Sequence, residues 1–242
     1  MTALVQVENL GRLFGALWAV NGVSFAVERG ELLGLIGPNG AGKSTLYNLL
    51  AGALTPTRGE IVFDGQRVTG WKSHQMARIG MARTFQIPKP YRRLSVVENV
   101  MLTAFQRRKS VRSARAFAEE ILAEVGLSDH ALAPVTTLTV GLLKRLEVAR
   151  ALALEPKLVL FDEIMAGLTP SEVGAMTSFV STLPARGITV IWVEHVLHAI
   201  MRTATRVMVL DRGQLIANAA PKAVARDPAV IKAYFGEEMS LA

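Results

Sequence analysis

The run Gly37-Pro-Asn-Gly-Ala-Gly-Lys-Ser-Thr45 constrains the fold of this chain more than any other segment. It fits G-x-x-x-x-G-K-[ST] through Gly37, Gly42, Lys43 and Ser44. The apolar stretch Glu31-Leu-Leu-Gly-Leu-Ile36 comes just before it, and the helix-forming residues from Leu46 to Ala51 come just after. A strand, a tight loop and a helix are therefore expected in that order. Glycines let successive backbone N–H groups turn inward around a phosphate chain, and the following helix directs its positive N-terminus at the same anion. Lys43 would reach the outer phosphates, and the Ser44 hydroxyl would bind Mg²⁺. A turn that merely joins strand to helix has no need of Lys-Ser directly after its last glycine, so the segment predicts a nucleoside triphosphate site.

A strand that feeds a phosphate loop belongs in a mainly parallel sheet flanked by helices, and the rest of the chain repeats that alternation. Strands are expected at 5–10, 20–27, 32–36, 60–63, 158–161, 189–193, 207–210 and 214–217. Turn signals such as Glu28-Arg-Gly30, Asp64-Gly65 and Asp211-Arg-Gly213 separate several of them. Between Phe85 and Leu138 the pattern becomes mostly helical. Ala114, Phe117, Ala118, Ile121, Leu122 and Val125 share one face at helical spacing, and Gly126 suits the C-terminal cap. This stretch reads as a helical insertion in an α/β core. A tail with Pro221, Pro228 and a short helix to Phe235 closes the chain.

Composition narrows the classes of function. The 242 residues fit one large α/β domain or two small ones. Half of them are hydrophobic, yet no stretch reaches the roughly 18 uncharged apolar residues of a membrane span. The closest, 188–201, is interrupted by Glu194, His195 and His198. The N-terminus has no basic segment ahead of an apolar one, and there is no Cys, so a cytoplasmic setting is expected. The net charge of +7 favours acidic partners: nucleotide, nucleic acid or anionic lipid. Part of the excess lies in Arg107, Arg108, Lys109, Arg112 and Arg115. The simplest reading of that group is a solvated surface, with a membrane-facing or partner-facing patch as the alternative. No DNA- or RNA-binding motif accompanies it, and no nucleic-acid partner is expected.

Three further segments carry candidate chemistry. Leu158-Val-Leu-Phe-Asp-Glu163 is a buried-type strand ending in two carboxylates. At the end of a parallel strand beside the phosphate loop, Asp162 would hold Mg²⁺ through water and Glu163 would act as general base on the attacking water. Ile188-Thr-Val-Ile-Trp-Val193 ends in the polar pair Glu194-His195, which would bring His195 to the γ-phosphate or the water; a lone His after a strand is more often a packed or surface residue. His195 and His198 are spaced to share a helix face, but no third metal ligand is evident. Gln86 follows Ala82-Arg-Thr-Phe85 at the junction of core and insertion, where its amide would ligate Mg²⁺ and sense the γ-phosphate.

Phosphate loop, glutamine at the insertion, acidic strand end and late histidine, in that order, resemble the layout of ATP-binding cassette (ABC) ATPases over nearly the whole chain. The resemblance implies a P-loop NTPase (RecA-like) α/β core with an N-terminal antiparallel β subdomain and an inserted helical subdomain. It implies one domain over 1–242, with core 1–85 and 145–217, helical subdomain 86–144 and tail 218–242. ATP would be held by Gly37, Pro38, Asn39, Gly40, Ala41, Gly42, Lys43, Ser44 and Thr45. Lys43, Glu163 and His195 would be catalytic, and Ser44, Gln86 and Asp162 would hold Mg²⁺. The family's stacking aromatic matches Phe14, with Trp18 in reserve. Its signature segment matches Leu138-Thr-Val-Gly-Leu142, where Thr139 and Gly141 would face the nucleotide of a second cassette. Finer features resemble the ATPase subunits of importers for branched-chain amino acids, amides and urea. These are Gly80-Met-Ala-Arg-Thr-Phe-Gln86, Leu94-Ser-Val-Val-Glu-Asn99, Met165-Ala-Gly-Leu-Thr-Pro170, Val193-Glu-His195 and the ending Asp227-Pro-Ala-Val-Ile-Lys-Ala-Tyr-Phe-Gly236. Such a subunit would dock its helical insertion on transmembrane permease subunits at the cytoplasmic face of the membrane, pair with an identical or different cassette, and serve a solute-binding protein indirectly.

The signature departs from the usual Leu-Ser-Gly-Gly-Gln. Thr139 keeps a hydroxyl and Gly141 keeps a close backbone approach, whereas Val140 replaces a glycine and Leu142 replaces the glutamine. Ile164 replaces the usual proline, and Thr169 the usual Asp or Asn. Leu142 motivates a second reading, a regulatory cassette that hydrolyses weakly and pairs with a more active one. A third, a soluble cassette acting on DNA or ribosomes, is suggested by charge alone and lacks the tandem cassettes or coiled coil usual there.

Overall fold

The structure is a computed structural model and describes residues 3–235. Gly236 and the rest of the expected tail to 242 lie outside the described residues. Strands β1 (Ala3–Phe14) and β2 (Leu17–Glu28) form a long hairpin, which β4 (Arg58–Phe63) and β5 (Gln66–Arg67) extend into an antiparallel sheet of order β2-β1-β4-β5. A second sheet, of order β10-β9-β3-β8-β7-β6, is built from β3 (Leu32–Ile36), β6 (Met81–Arg83), β7 (Leu158–Asp162), β8 (Thr189–Val193), β9 (Arg206–Asp211) and β10 (Gln214–Ala219). Its strands are parallel except for the β9–β10 hairpin. The expected strands are thus present but divided between two sheets, and β1 and β2 run beyond the expected ends. The three-residue edge strand β6 was not expected from the sequence; Met-Ala-Arg is too short for a periodic signal.

Alternation explains why β3, β7 and β8 are almost wholly buried. In β3, Leu32 and Ile36 face one core while Leu33 and Leu35 face another; in β7, Val159 and Phe161 part from Leu158 and Leu160 in the same way. With both faces covered, a parallel strand needs apolar residues at successive positions. One core is shared with α1 (Lys43–Leu50) and the antiparallel sheet. The other is shared with α3 (Val96–Ala104), α4 (Val111–Glu124), α5 (Val140–Leu152) and α6 (Pro170–Thr182). A charge pair joins the sheets: Arg206 on β9 binds Glu31, beside β3, at 2.7 Å and the carbonyl of Ala26 on β2 at 2.6 Å.

The α4 face is as the spacing predicts. Ala114, Ala118, Ile121 and Leu122 are buried, Phe117 packs beside them, and Gly126 follows the last turn with φ 70°. On α5, Leu142, Leu146, Ala149 and Ala153 pack against the core, and Lys144 and Glu147 are buried as well. The helix runs unbroken across position 144/145. Much of the basic cluster is locally engaged: Arg107 donates to the carbonyl of Leu154, Arg108 forks onto Glu155 and Arg115 pairs with Glu119. Among the described residues no helix is long and apolar enough to cross a membrane.

Candidate nucleotide site

The loop after β3 cannot be built with side chains at its outer glycines. A Cβ at Gly37, where φ is 149°, would lie 2.2 Å from the Leu210 carbonyl oxygen, and one at Gly42, where φ is 101°, would lie 2.2 Å from the Ala19 carbonyl oxygen. The loop is therefore wedged between the end of β9 and the β2 strand. Gly213 in the β9–β10 turn adds a tie to each side, donating to the Ala41 carbonyl at 3.0 Å and accepting from Asn21 N–H at 2.8 Å. Behind the loop, the Tyr47 hydroxyl of α1 donates to the carbonyls of Thr84 and Leu160 and pins the helix to the ends of β6 and β7. Burial pushes that phenol well above its ordinary range, so it stays a neutral donor.

A cleft of about 770 Å³ opens over this loop. Its floor is Asn39 to Thr45, and Gln86, Glu163 and His195 close one side. Glu163 is the hinge of that group. It sits just past β7 with φ 48°, and its N–H is held by the Val193 carbonyl at 2.9 Å. Its carboxylate accepts from Gln86 Nε2 at 2.6 Å and lies 2.7 Å from His195 Nε2, an ion pair when the imidazole is protonated. Three residues drawn from distant parts of the sequence thus converge, as their order predicts. Lys43 is buried and donates to the carbonyls of Gly37 and Pro38 at 2.7 and 2.9 Å. Two of its three hydrogens are spent on the loop itself. Desolvation lowers its pKa, and Glu163 and Asp162 oppose that. Asp162 lies behind Glu163, its N–H on the Thr84 hydroxyl at 3.1 Å. Burial, then Glu163, pushes its carboxyl above the usual range, against Arg83, Lys144 and His195. A carboxyl pressed towards neutrality by a second carboxylate suits a cation. Ser44, Gln86 and Asp162 offer hard oxygen donors of the kind Mg²⁺ takes.

Two expectations change. Phe14 is at the tip of the β1–β2 hairpin, 43% exposed, with the Arg12 guanidinium 4.6 Å from its ring centre, and it does not line the cleft. The strand carries Leu17, Trp18 and Ala19 along the cleft wall instead. The indole already has the Arg58 guanidinium on it at 4.7 Å. His195 and His198 do not share a helix face. His195 precedes α7 (Leu197–Thr203) and turns to Glu163, while His198 lines a separate groove with Arg202, and no His, Cys, Asp or Glu cluster suited to a metal occurs among the described residues. Glu194, the other half of that polar pair, is buried and accepts from Met165 N–H at 2.9 Å.

Thr139 and Gly141 are away from this cleft. Thr139 caps α5, its hydroxyl accepting from Leu142 N–H at 3.4 Å. Gly141 lies against Glu172, whose Oε1 a Cβ there would meet at 2.2 Å. Arg212 and Gly213, in a segment whose sequence signals only a turn, form a further wall of the cleft.

Residues 20–166 match the family model for ABC transporters, and residues 214–239 match that for the C-terminal segment of branched-chain amino acid ATP-binding cassette transporters. The chain is 34% identical to the high-affinity branched-chain amino acid transport ATP-binding protein BraF of Pseudomonas aeruginosa, over 97% of this chain and 98% of that one. It is 32% identical over the full length of both chains to the lipopolysaccharide export system ATP-binding protein LptB of Acidithiobacillus ferridurans. A nucleotide-free ATP-binding cassette from an ABC transporter superposes with a TM-score of 0.88 at 30% identity, covering 98% of this chain and all of that one. A dimeric cassette bound to ADP and Pi in a post-hydrolysis state gives 0.81 at 25% identity, covering 90% and 98%. A phosphate loop wedged between two sheets and a glutamate held by Gln86 and His195 therefore sit within a shared sequence and a shared fold, and the chain belongs to the ABC transporter family as an ATPase subunit.

Proposed function

We propose that this subunit energises uptake of branched-chain amino acids or related small amides. The observation that carries the solute class is the match of residues 214–239 to the branched-chain cassette segment, together with the full-length likeness to BraF. The equally long likeness to LptB, an export protein by name, makes direction the first thing to test.

In this reading the loop amides from Gly37 to Thr45 and the N-terminus of α1 bind the phosphates, and Trp18 lies beside the base. Lys43 exchanges a loop carbonyl for a phosphate oxygen. Glu163, steadied by Gln86 and His195, orients the attacking water and takes its proton. Mg²⁺ held by Ser44, Gln86 and Asp162 would neutralise charge on the phosphates. Thr139 and Gly141 serve the nucleotide of a second cassette. The helical subdomain, taken as 86–144, docks on permease subunits at the cytoplasmic face, with a solute-binding protein upstream of them. The exposed apolar side chains of Ile87, Tyr91, Leu102 and Phe105 support docking there.

The test is uptake by vesicles that carry the chain with its permease subunits. Labelled leucine, isoleucine and valine are compared with small amides and urea, and a Glu163→Gln complex serves as the control. ATP-dependent entry of one of these solutes is expected. Solute-independent ATPase with entry of none would sink the solute class, and outward movement of cargo would sink the direction. Leu142, apolar where the family usually places glutamine, favours a second reading: a weakly hydrolysing cassette that relies on a more active partner. Robust ATPase by the pure chain would count against it.

A further inference from the structure

Lys144 is a charged residue with no reason to be buried unless its ammonium is needed where it lies. Its side chain belongs to α5 and is 3% exposed. The ammonium donates to two backbone carbonyls from separate parts of the chain, that of Gln86 and that of Glu163, the latter at 2.9 Å. These are the two residues whose side chains meet at 2.6 Å over the cleft. Their side-chain bond is thus doubled by a backbone bridge through one buried cation. Glu163 has a left-handed backbone, φ 48°, which an L-residue holds only when its surroundings fix it. Its N–H is fixed by Val193 of β8 and its carbonyl by Lys144.

The same face of α5 continues the grip on the segment after Gln86. Glu147 accepts from Lys89 N–H at 3.1 Å, and Arg150 donates to the Lys89 carbonyl at 2.9 Å and to Glu147 at 2.7 Å. Spaced three apart, Lys144, Glu147 and Arg150 bind the backbone of 86–89 to one helix. Lys144 alone of the three also reaches Glu163 in these bonds. Coulombic attraction from Glu194, Asp162, Glu163 and Glu147 opposes the desolvation of its ammonium. Thr139 caps the helix it stands on, so the signature segment and the glutamate of the chain's own cleft are joined through the five helical residues 140–144 and one side chain.

The geometry points to Lys144 as the positioning residue that sets Glu163 and Gln86 for hydrolysis, a backbone clamp between the signature helix and the cleft. This rests on the reading of Glu163 as the residue that orients the water. Lys144→Met removes both bonds at similar volume, and Lys144→Arg retains donors for two carbonyls. The full chain, with its partner subunits where they are required for turnover, is assayed for kcat and KM, for ATP affinity by tryptophan fluorescence, and for fold by circular dichroism. A 1 Å displacement of a catalytic group costs about 100-fold, so kcat is expected to fall roughly 10- to 100-fold in the Met variant, with ATP affinity within about threefold of the parent. The Arg variant should recover at least half of that loss on a logarithmic scale. Combined with Glu163→Gln, the Met change should lower residual turnover less than about twofold, because both act on one group.

A Met variant that keeps the parent kcat overturns the proposal. So does an Arg variant as deficient as Met, or losses that multiply fully in the double variant. If the Met variant loses its helical signal, Lys144→Gln, which keeps one carbonyl bond, is judged by the same thresholds. Full turnover by Glu163→Gln alone would bring down the reading of the cleft and this proposal with it. Loss there without loss at Lys144 would bring down only the clamp.

Discussion

Around Glu163, the side chains that satisfy one another come from far apart in the chain: Gln86 after β6, His195 after β8 and Lys144 in α5. At the start of α5 the partners are local. Thr139 caps its own helix, and Glu172, which covers Gly141, is fixed by its own capping box with Thr169. Val140 between them is 53% exposed. In the proposed function the first region encloses the reacting centre within one chain. The second turns an apolar side chain outward. In the proposed function one face of the cassette binds its own nucleotide and the second serves a nucleotide set against it.

The largest effect expected is on the convergent side. Glu163→Gln keeps the size of the side chain and removes the base, so turnover should drop about 10³-fold. ATP affinity, resting on the loop, should stay within about threefold. Phosphate release and a fluorescence titration measure the two. Parent-like hydrolysis would erase the distinction between the regions, because the cleft would then hold no catalytic residue of its own at that position.

On the local side, Gly141→Ala places a methyl group 2.2 Å from Glu172 Oε1, and one of them must move. Turnover of the assembled pair is expected to fall about tenfold, near what one lost hydrogen bond costs. Adding Glu172→Ala should restore the melting temperature without restoring turnover if the glycine serves a nucleotide. Full recovery of both would mean that Gly141 is there only for packing. Leu142→Gln works in the opposite sense. If the missing amide limits the outward face, turnover of the pair should rise about two- to fivefold, near what one net hydrogen bond supplies. No change would remove the main argument for a weakly hydrolysing cassette.

Legibility in the sequence followed the same divide. The phosphate loop was readable because glycine spacing, Lys43 and Ser44 are all adjacent. The buried strands were readable because double-faced burial leaves continuous apolar runs. Glu163, Gln86 and His195 were readable only through their order, since nothing local to any of them signals a shared hydrogen bond. Lys144 was invisible: in a helix with Arg145 and Glu147 beside it, a lysine looks like solvated surface, and only the tertiary path of 86–89 shows otherwise. That Trp18 and not Phe14 lines the cleft follows from how the hairpin passes the loop, which residue type alone does not show.

The smallest effect tests whether the cleft side tolerates costly burial for its geometry. Glu194 is buried and accepts from Met165 N–H; burial raises its pKa, Glu163 adds to that, and the hydrogen bond from Met165 works the other way. A carboxyl whose folded pKa lies above the unfolded value favours folding below the unfolded pKa, and that advantage is lost as pH rises through the folded one. Glu194→Gln keeps an acceptor for Met165 without an ionising group. Its melting temperature should match the parent near pH 4 and exceed it by about 2–4 °C at pH 8, the shift that ~1 kcal/mol gives in a chain of this size. A variant less stable than the parent at pH 8 would mean that the charged hydrogen bonds outweigh desolvation. The convergent region would then be an energetic asset of the fold as well as its reacting centre.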